Sequence, residues 1–227
     1  MADEHALHVA IIPDGNRRWA KKHVLDPWKG HEQAIETIQT IVDWSRDNNE
    51  IAILTMWLFS TENWKRNHKE IEKLMGMLED YLKKERETFQ KNKTKLLHSG
   101  RKDRIPASLA ALIDEIEQET SQFTEFTLHL ALDYGGKDEV IRAVIKMDEK
   151  GLVTDEDLRA KLDHPELPDM DIIIRTSGEK RTSNFFLWQS AYAEWFFTDK
   201  LFPDITTEDI GEIIEDFKSR SRRFGGE

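Results

Sequence analysis

The sequence contains no cysteine, which removes disulfides, Cys-ligated zinc and thiol nucleophiles together. It also has no long apolar run. The most apolar stretch, residues 51–59, falls far short of the roughly 20 residues that cross a bilayer as a helix. Residues 1–7 show no basic segment leading into an apolar one, so no secretory leader is expected and the chain is expected to be cytoplasmic. Positive charge is in short supply: 33 Lys and Arg stand against 44 Asp and Glu, a net charge of −11. General nucleic-acid binding needs a dominant basic field, so no nucleic-acid partner is expected. Internal repeats, low-complexity tracts and Pro/Gly/Ser linkers are missing as well.

What is present points to one large α/β domain spanning residues 1–227, with residues 1–7 expected to be flexible. Eleven Phe and seven Trp are too many for a disordered chain. Short apolar runs at 8–13, 51–59, 95–99, 127–132 and 171–175 read as strands. Between them, 30–48, 69–91, 106–118, 137–147, 155–162 and 207–219 carry helical spacing. Residues 188–195 read as an aromatic-rich buried element. Alternating strands and helices predict a mainly parallel sheet covered on both faces, with ligands along the edge where strands turn into helices.

Three of those turns are unusually polar. Asp14-Gly15-Asn16-Arg17-Arg18-Trp19 follows the first strand. Gly15 allows close backbone approach, a helix N-terminus offers free N–H groups to an anion, and Arg17 and Arg18 add donors suited to phosphate. Asp14 could hold a divalent cation beside such a phosphate. The second turn runs Ser60-Thr61-Glu62-Asn63-Trp64-Lys65-Arg66, with Ser60 and Asn63 as hydrogen bonders and Arg66 as an anion clamp. The third, after 171–175, places Arg175, Arg181, Thr182 and Ser183 on one loop. Each turn also has a plainer reading: an Asp-Gly turn with solvated arginines, a helix N-cap at Ser60 or Thr61, and a solvated basic loop. Other patterns fail. Gly135-Gly136-Lys137 lacks the first glycine of a P-loop (Ala131) and its Ser/Thr (Asp138), and His31-Glu32 has Ile35 where a zinc protease needs a second His.

Taken together, four stretches resemble the cis-prenyltransferase (undecaprenyl diphosphate synthase-like) family: HVAIIPDGNRRWAKK with GHEQA, FSTENWKR, DIIIRTSGEKRTSNFFLWQSAYAEWFFTDKLFPD, and RRFGG. They run in the family's order from His8 to Gly226. The resemblance implies a homodimeric, Mg²⁺-dependent enzyme that condenses isopentenyl diphosphate with an allylic diphosphate, forming a Z double bond at each step. It implies that Asp14 and Glu194 bind Mg²⁺, and that Gly15, Asn16, Arg17, Arg18 and His31, with Arg66 nearby, hold the allylic phosphates. It places Arg175, Arg181 and Ser183 on isopentenyl diphosphate, and makes Asn63 and Ser60 candidates for assisting loss of a C2 proton. Trp19, Thr61, Glu62, Trp64 and Thr182 belong to the same substrate-binding stretches. The tail, residues 218–227 with Arg223 and Gly225, is expected to reach the partner subunit's site.

Breaking an allylic C–O bond leaves a carbocation and a diphosphate, so arginines and Mg²⁺ suit the leaving group, and a dry apolar tunnel suits the growing chain. Phe185, Phe186 and Trp195 are expected to be packing rather than tunnel wall. Compared with the family, Pro27 replaces an arginine, with Lys29 two residues on as its candidate substitute. Leu58 and Phe126 add bulk at the expected far end of the tunnel. A product shorter than fifty-five carbons is therefore expected, released by transient contact with a membrane. The alternatives are a non-catalytic subunit of a heteromeric enzyme and a polyprenyl-phosphate-binding protein. Residues 14–31 hold five Lys/Arg against two Asp, so the positive charge is concentrated near the expected anion sites although the whole chain is acidic.

Overall fold

Successive residues of a strand point to opposite faces, and here both faces are apolar, so the strands can only lie inside a covered sheet. In β1 (Leu7–Ile12), Val9 and Ile11 join one buried cluster while Ala10 and Ile12 join another. In β4 (Phe126–Tyr134), Leu128, Leu130 and Leu132 face the first cluster and Ala131 the second. With β2 (Ile51–Ser60), β3 (Thr94–Ser99), β5 (Ile172–Arg175) and β6 (Glu194–Phe197), they form one six-stranded sheet. Its order is β3-β4-β2-β1-β5-β6, and every pairing is parallel. The structure is a computed structural model describing residues 6–147 and 154–220. It is a single α/β domain, as the alternation of elements predicts.

Among the described residues seven α-helices cover the sheet: α1 (Asn16–Lys22), α2 (Pro27–Asp47), α3 (His68–Lys91), α4 (Ala107–Thr120), α5 (Gly136–Ile145), α6 (Asp155–Arg159) and α7 (Thr207–Ser219). The larger cluster takes Ile38 and Val42 from α2, Leu74 and Leu78 from α3, Ile113 from α4 and Ile214 from α7. The smaller one, across the sheet, is built on Trp57, Tyr134, Phe185 and Phe186. Phe185 and Phe186 are fully buried packing residues, as expected, and Trp195 packs against them half-buried. No helix among the described residues is long and apolar enough to cross a membrane.

Boundaries differ from the sequence reading where local chemistry competes with periodicity. α2 starts at Pro27, three residues early, because proline's fixed φ suits the first helical position. β4 runs on to Tyr134 through Asp133, a buried residue at φ 51° whose carboxylate pairs with Arg104 and accepts the Trp64 indole N–H at 2.8 Å. Of residues 188–195, only Glu194 and Trp195 are in a strand, the rest forming turns. Leu7 already belongs to β1 and Lys218 and Ser219 to α7, while residues 1–5 and 221–227 lie outside the described residues, Arg223 and Gly225 among them.

Candidate active site

The chain leaves β1 toward β2 on one side and returns to β5 on the other, so a crevice opens at the carboxyl end of β1. Three strand ends meet there. Ile12 pairs with Arg175, and Ser60 closes β2. Two glycines let the following segments close in. Gly15 has φ 103°, and a Cβ there would lie 2.9 Å from Ser177 Cβ. At Gly30 a Cβ would come within 1.9 Å of the Asn16 carbonyl oxygen, so α1 and α2 cross nearly backbone to backbone.

Behind the crevice lies a cavity of about 640 Å³. Its mouth is lined by Asp14, Gly15, Asn16, Arg17, Arg18, His31, Ser60, Glu62, Asn63, Arg66, Arg175, Arg181 and Ser183. Its depth is lined by Ala34, Ile35 and Ile38 of α2, Leu58 and Phe59 of β2, and Leu74 and Leu78 of α3. The three polar turns singled out in the sequence therefore converge on one site, cationic at the entrance and apolar within.

Arg175 organises the mouth. Its guanidinium is buried and donates to Asp14 Oδ2 at 3.0 Å, to the Arg181 carbonyl at 2.6 Å and to Ser183 Oγ at 2.7 Å. Asp14 Oδ1 also accepts the Gly15 N–H at 2.7 Å. Thr176 locks the Asp14 backbone on both sides, accepting its N–H at 2.9 Å and donating to its carbonyl at 2.7 Å. Arg18 donates to Ser177 Oγ at 2.5 Å and lies 3.5 Å from Glu179. On the opposite wall, His31 Nε2 and Arg17 approach Glu70 at 3.7 and 3.8 Å. Burial first, then nearby Arg66, holds His31 below its ordinary value against the pull of Glu70, so the ring is neutral at neutral pH. Burial lowers Arg66 as well. Asn63 Oδ1 accepts the Ser60 N–H at 3.1 Å, which leaves its amide N–H groups as donors at the cavity wall.

Four buried polar atoms around the site have no hydrogen-bond partner: Asn16 Oδ1, His31 Nε2, Glu70 Oε1 and Arg175 Nε. Buried polar atoms are normally satisfied, so such a cluster marks where a ligand completes the network. The donor set also bears on a metal. Among the described residues no group of three or more His, Cys, Asp or Glu could hold an ion. Asp14, a single half-exposed carboxylate beside several arginines, suits Mg²⁺ shared with phosphate oxygens and water rather than a cage of protein ligands.

Several expected site residues lie elsewhere. Glu194 opens β6 opposite Ile172, three residues and about 10 Å short of the level of Arg175, and its carboxylate meets Arg220 at 3.1 Å. Phe126 is buried at the start of β4 and does not line the cavity. Trp19 donates to Asp204 at 2.7 Å, Trp64 packs edge-on against Phe59, and Thr61 lies against Gly135, none of them lining the cavity, while Thr182 turns the loop by accepting the Phe185 N–H at 3.1 Å. Lys29 pairs with Glu32 at 2.6 Å on the outer surface. Three participants had no reading as site residues: Glu70, Thr176 and Asn184, the last lining the cavity and donating to Glu62 at 3.1 Å. Ser177, Ser183 and Asn184 all have positive φ (77°, 51° and 70°), backbone strain of the kind that gathers at functional loops.

With that geometry in view, residues 12–225 match the family described as "Putative undecaprenyl diphosphate synthase". The chain belongs to that family. It is 42% identical to the isoprenyl transferase of Treponema denticola over 99% of both chains. It is 46% identical to that of Wolinella succinogenes over 96% of both. Among solved structures it resembles lavandulyl diphosphate synthase from Lavandula x intermedia, in complex with dimethylallyl diphosphate, at a TM-score of 0.89 and 31% identity, covering 96% of this chain and 97% of that one. A probable undecaprenyl diphosphate synthase from Campylobacter jejuni gives 0.81 and 34%, covering 97% and 99%. The cis-prenyltransferase membership implied by the four sequence stretches thus holds over nearly the whole chain, and the protein is a transferase of the isoprenyl transferase class.

Proposed function

We propose that this isoprenyl transferase joins isopentenyl diphosphate to an allylic diphosphate, making a Z-polyprenyl diphosphate shorter than the fifty-five-carbon product and releasing inorganic diphosphate. The observation carrying this is the buried Arg175 joining Asp14 to the Arg181–Ser183 loop at the mouth of an apolar cavity. Two diphosphates fit such a mouth, one on Asn16, Arg17, Arg18 and His31, the other on Arg175, Arg181 and Ser183. The cationic wall stabilises the diphosphate that leaves when the allylic C1–O bond breaks. Isopentenyl C4 then bonds to C1, and its C2 loses a proton. Ser60 and Asn63 orient that end, and the departing diphosphate is the stronger base. Mg²⁺, when bound by Asp14 and phosphate oxygens, supplies Lewis-acid help to the leaving group. Ala34, Ile35, Ile38, Leu74 and Leu78 keep water from the cation.

Leu58 lines the cavity, and about 640 Å³ lies within the roughly 300–1,000 Å³ of small-ligand sites, which supports a short product. Phe126 would act only by backing the wall. A homodimer is supported by α5, which turns Ile141, Val144 and Ile145 outward, with exposed Leu187 abutting Gly136 at its start. Glu194, remote from Asp14 in its own chain, would then serve across the dimer, as would Arg223 and Gly225. Diphosphate release from isopentenyl plus geranyl or farnesyl diphosphate with Mg²⁺ tests the reading. Wild type should turn over, and Asp14→Ala should lose at least about a hundredfold in kcat. Undiminished turnover by Asp14→Ala would refute the mechanism. Binding without turnover by wild type would indicate a non-catalytic subunit or a polyprenyl-phosphate-binding protein.

A further inference from the structure

A second hollow lies outside the reaction cavity, at the turn joining α1 to α2, where Arg17, Arg18, Lys21, Val24, Leu25, Asp26, Pro27 and Lys29 surround it. Residues 21–27 form an unbroken exposed run. Within it Val24 is 93% exposed and Leu25 45%. Val24 also has φ 58°. Its N–H bonds the Lys21 carbonyl at 3.1 Å, and the Leu25 N–H returns to the Ala20 carbonyl at 2.9 Å, closing the end of α1. Glycine is the usual residue in that left-handed position, and a β-branched side chain there is strained. The strain brings no packing in return, because the Val24 side chain points into solvent.

The charge around the two side chains is just as uneven. Arg17, Arg18 and Lys29 are matched by Glu70, Glu179 and Glu32, while among the described residues Lys21 and Lys22 have no ion pair and outnumber the one exposed acid beside them, Asp26. This cationic ledge sits on a chain of net charge −11, which an anionic surface would otherwise repel. Protruding apolar side chains ringed by lysines are what an anionic lipid interface rewards. An acidic polypeptide would meet the lysines and leave Val24 and Leu25 in water. We infer that the ledge docks on a bilayer containing anionic lipids, with Val24 and Leu25 entering the interface and Lys21 and Lys22 meeting headgroups. Its purpose rests on the proposed reaction: Arg17 and Arg18 line both ledge and cavity, so a docked membrane lies beside the mouth through which an apolar product leaves.

The test is flotation of the full chain with phosphatidylcholine vesicles, with and without about one-third phosphatidylglycerol. Wild type should float with the anionic vesicles and stay in solution with the neutral ones. Lys21→Glu with Lys22→Glu should weaken partitioning at least about twentyfold, since each cation near such a surface is worth roughly fivefold. Val24→Gly separates docking from architecture: it relieves the strain and should raise Tm, yet it should lower vesicle binding about tenfold through the lost apolar contact. Both variants should turn over water-soluble short substrates at the wild-type rate without vesicles, so loss of docking is read apart from loss of chemistry. A Val24→Gly protein with raised Tm and unchanged flotation overturns the inference. So does wild type that floats equally with neutral vesicles, floats with neither, or binds polyglutamate in preference to lipid.

Discussion

Acid should unfold this protein well above the pH at which carboxylates titrate, and the cause lies in the second face of the sheet. A chain of hydrogen bonds crosses four neighbouring strands there. His8 Nδ1 meets the Pro168 carbonyl at 2.9 Å, and a carbonyl only accepts, so that nitrogen carries the proton. His8 Nε2 must then accept the Thr55 hydroxyl at 2.7 Å, and Thr55 Oγ1 must accept His129 Nδ1–H at 2.9 Å. His129 Nε2 is left to accept from Ser99 Oγ at 2.8 Å. Both rings are thereby fixed as neutral tautomers, each using one nitrogen as an acceptor. A proton added to either ring destroys that acceptor and puts a charge in the core.

Burial lowers His8 of this hydrogen-bonded chain from 6.5 to about 4 and His129 well below its ordinary value, and it lowers to about 4 a third buried histidine outside that chain, His98, whose Nε2–H donates to the Leu132 carbonyl at 3.0 Å. For His8 and His98 the gap of about 2.5 pH units, at 1.4 kcal/mol each, is about 3 kcal/mol per residue. The folded values lie below the unfolded one, so between pH 4 and 6.5 the unfolded chain binds more protons. The stability these residues contribute is complete above pH 6.5 and is lost as pH falls toward 4. Two such residues amount to about 6–7 kcal/mol, against about 5–15 kcal/mol for a whole domain. Asp163, despite its burial, is held below its ordinary value by Arg142, so it acts in the same sense at lower pH. Urea unfolding from pH 7 to 4.5 should show stability falling by about 2–3 kcal/mol per pH unit below pH 6. A slope below half that, with unfolding deferred until carboxylates protonate, would refute the neutral state of these buried histidines. Thr55→Val keeps the shape but strands His8 Nε2 and His129 Nδ1–H, and should cost about 2–5 kcal/mol at pH 7.

Arg175→Lys keeps the charge but cannot span Asp14, Ser183 and the Arg181 carbonyl at once, so kcat should fall about a hundredfold or more in steady-state diphosphate release, with Tm little changed. Leu58→Ala should lengthen the longest product by one or more isoprene units on thin-layer chromatography, at a stability cost of about 1–3 kcal/mol. Gly30→Ala forces a Cβ onto the Asn16 carbonyl and must push α1 off α2, so both Tm and turnover should fall.

Much of this arrangement is legible in the residues because strands buried on both faces are continuous apolar runs, and the segments that follow them are the ligand-bearing ones. Asp14, Ser60 and Arg175 stand out for that reason, being polar residues at the last position of an apolar strand or just beyond it. α7 is read to the residue because Thr206 caps it, its hydroxyl accepting the Asp209 N–H and its own N–H returned to the Asp209 carboxylate. β6 is obscure for the opposite reason. Four residues with two half-buried side chains on a sheet edge cannot be told from neighbouring aromatic turns by periodicity. Glu70 shows a deeper limit. In the sequence it is one acidic residue in the first turn of a charged amphipathic helix, where acids are favoured for the helix dipole alone. Its role against Arg17 and His31 exists only because the Gly30 crossing sets α1 on α2 and both helices meet α3. A residue that acts on substrate directly can betray itself through its own turn, whereas one that acts on those residues is defined by packing among three helices, and no local pattern carries that.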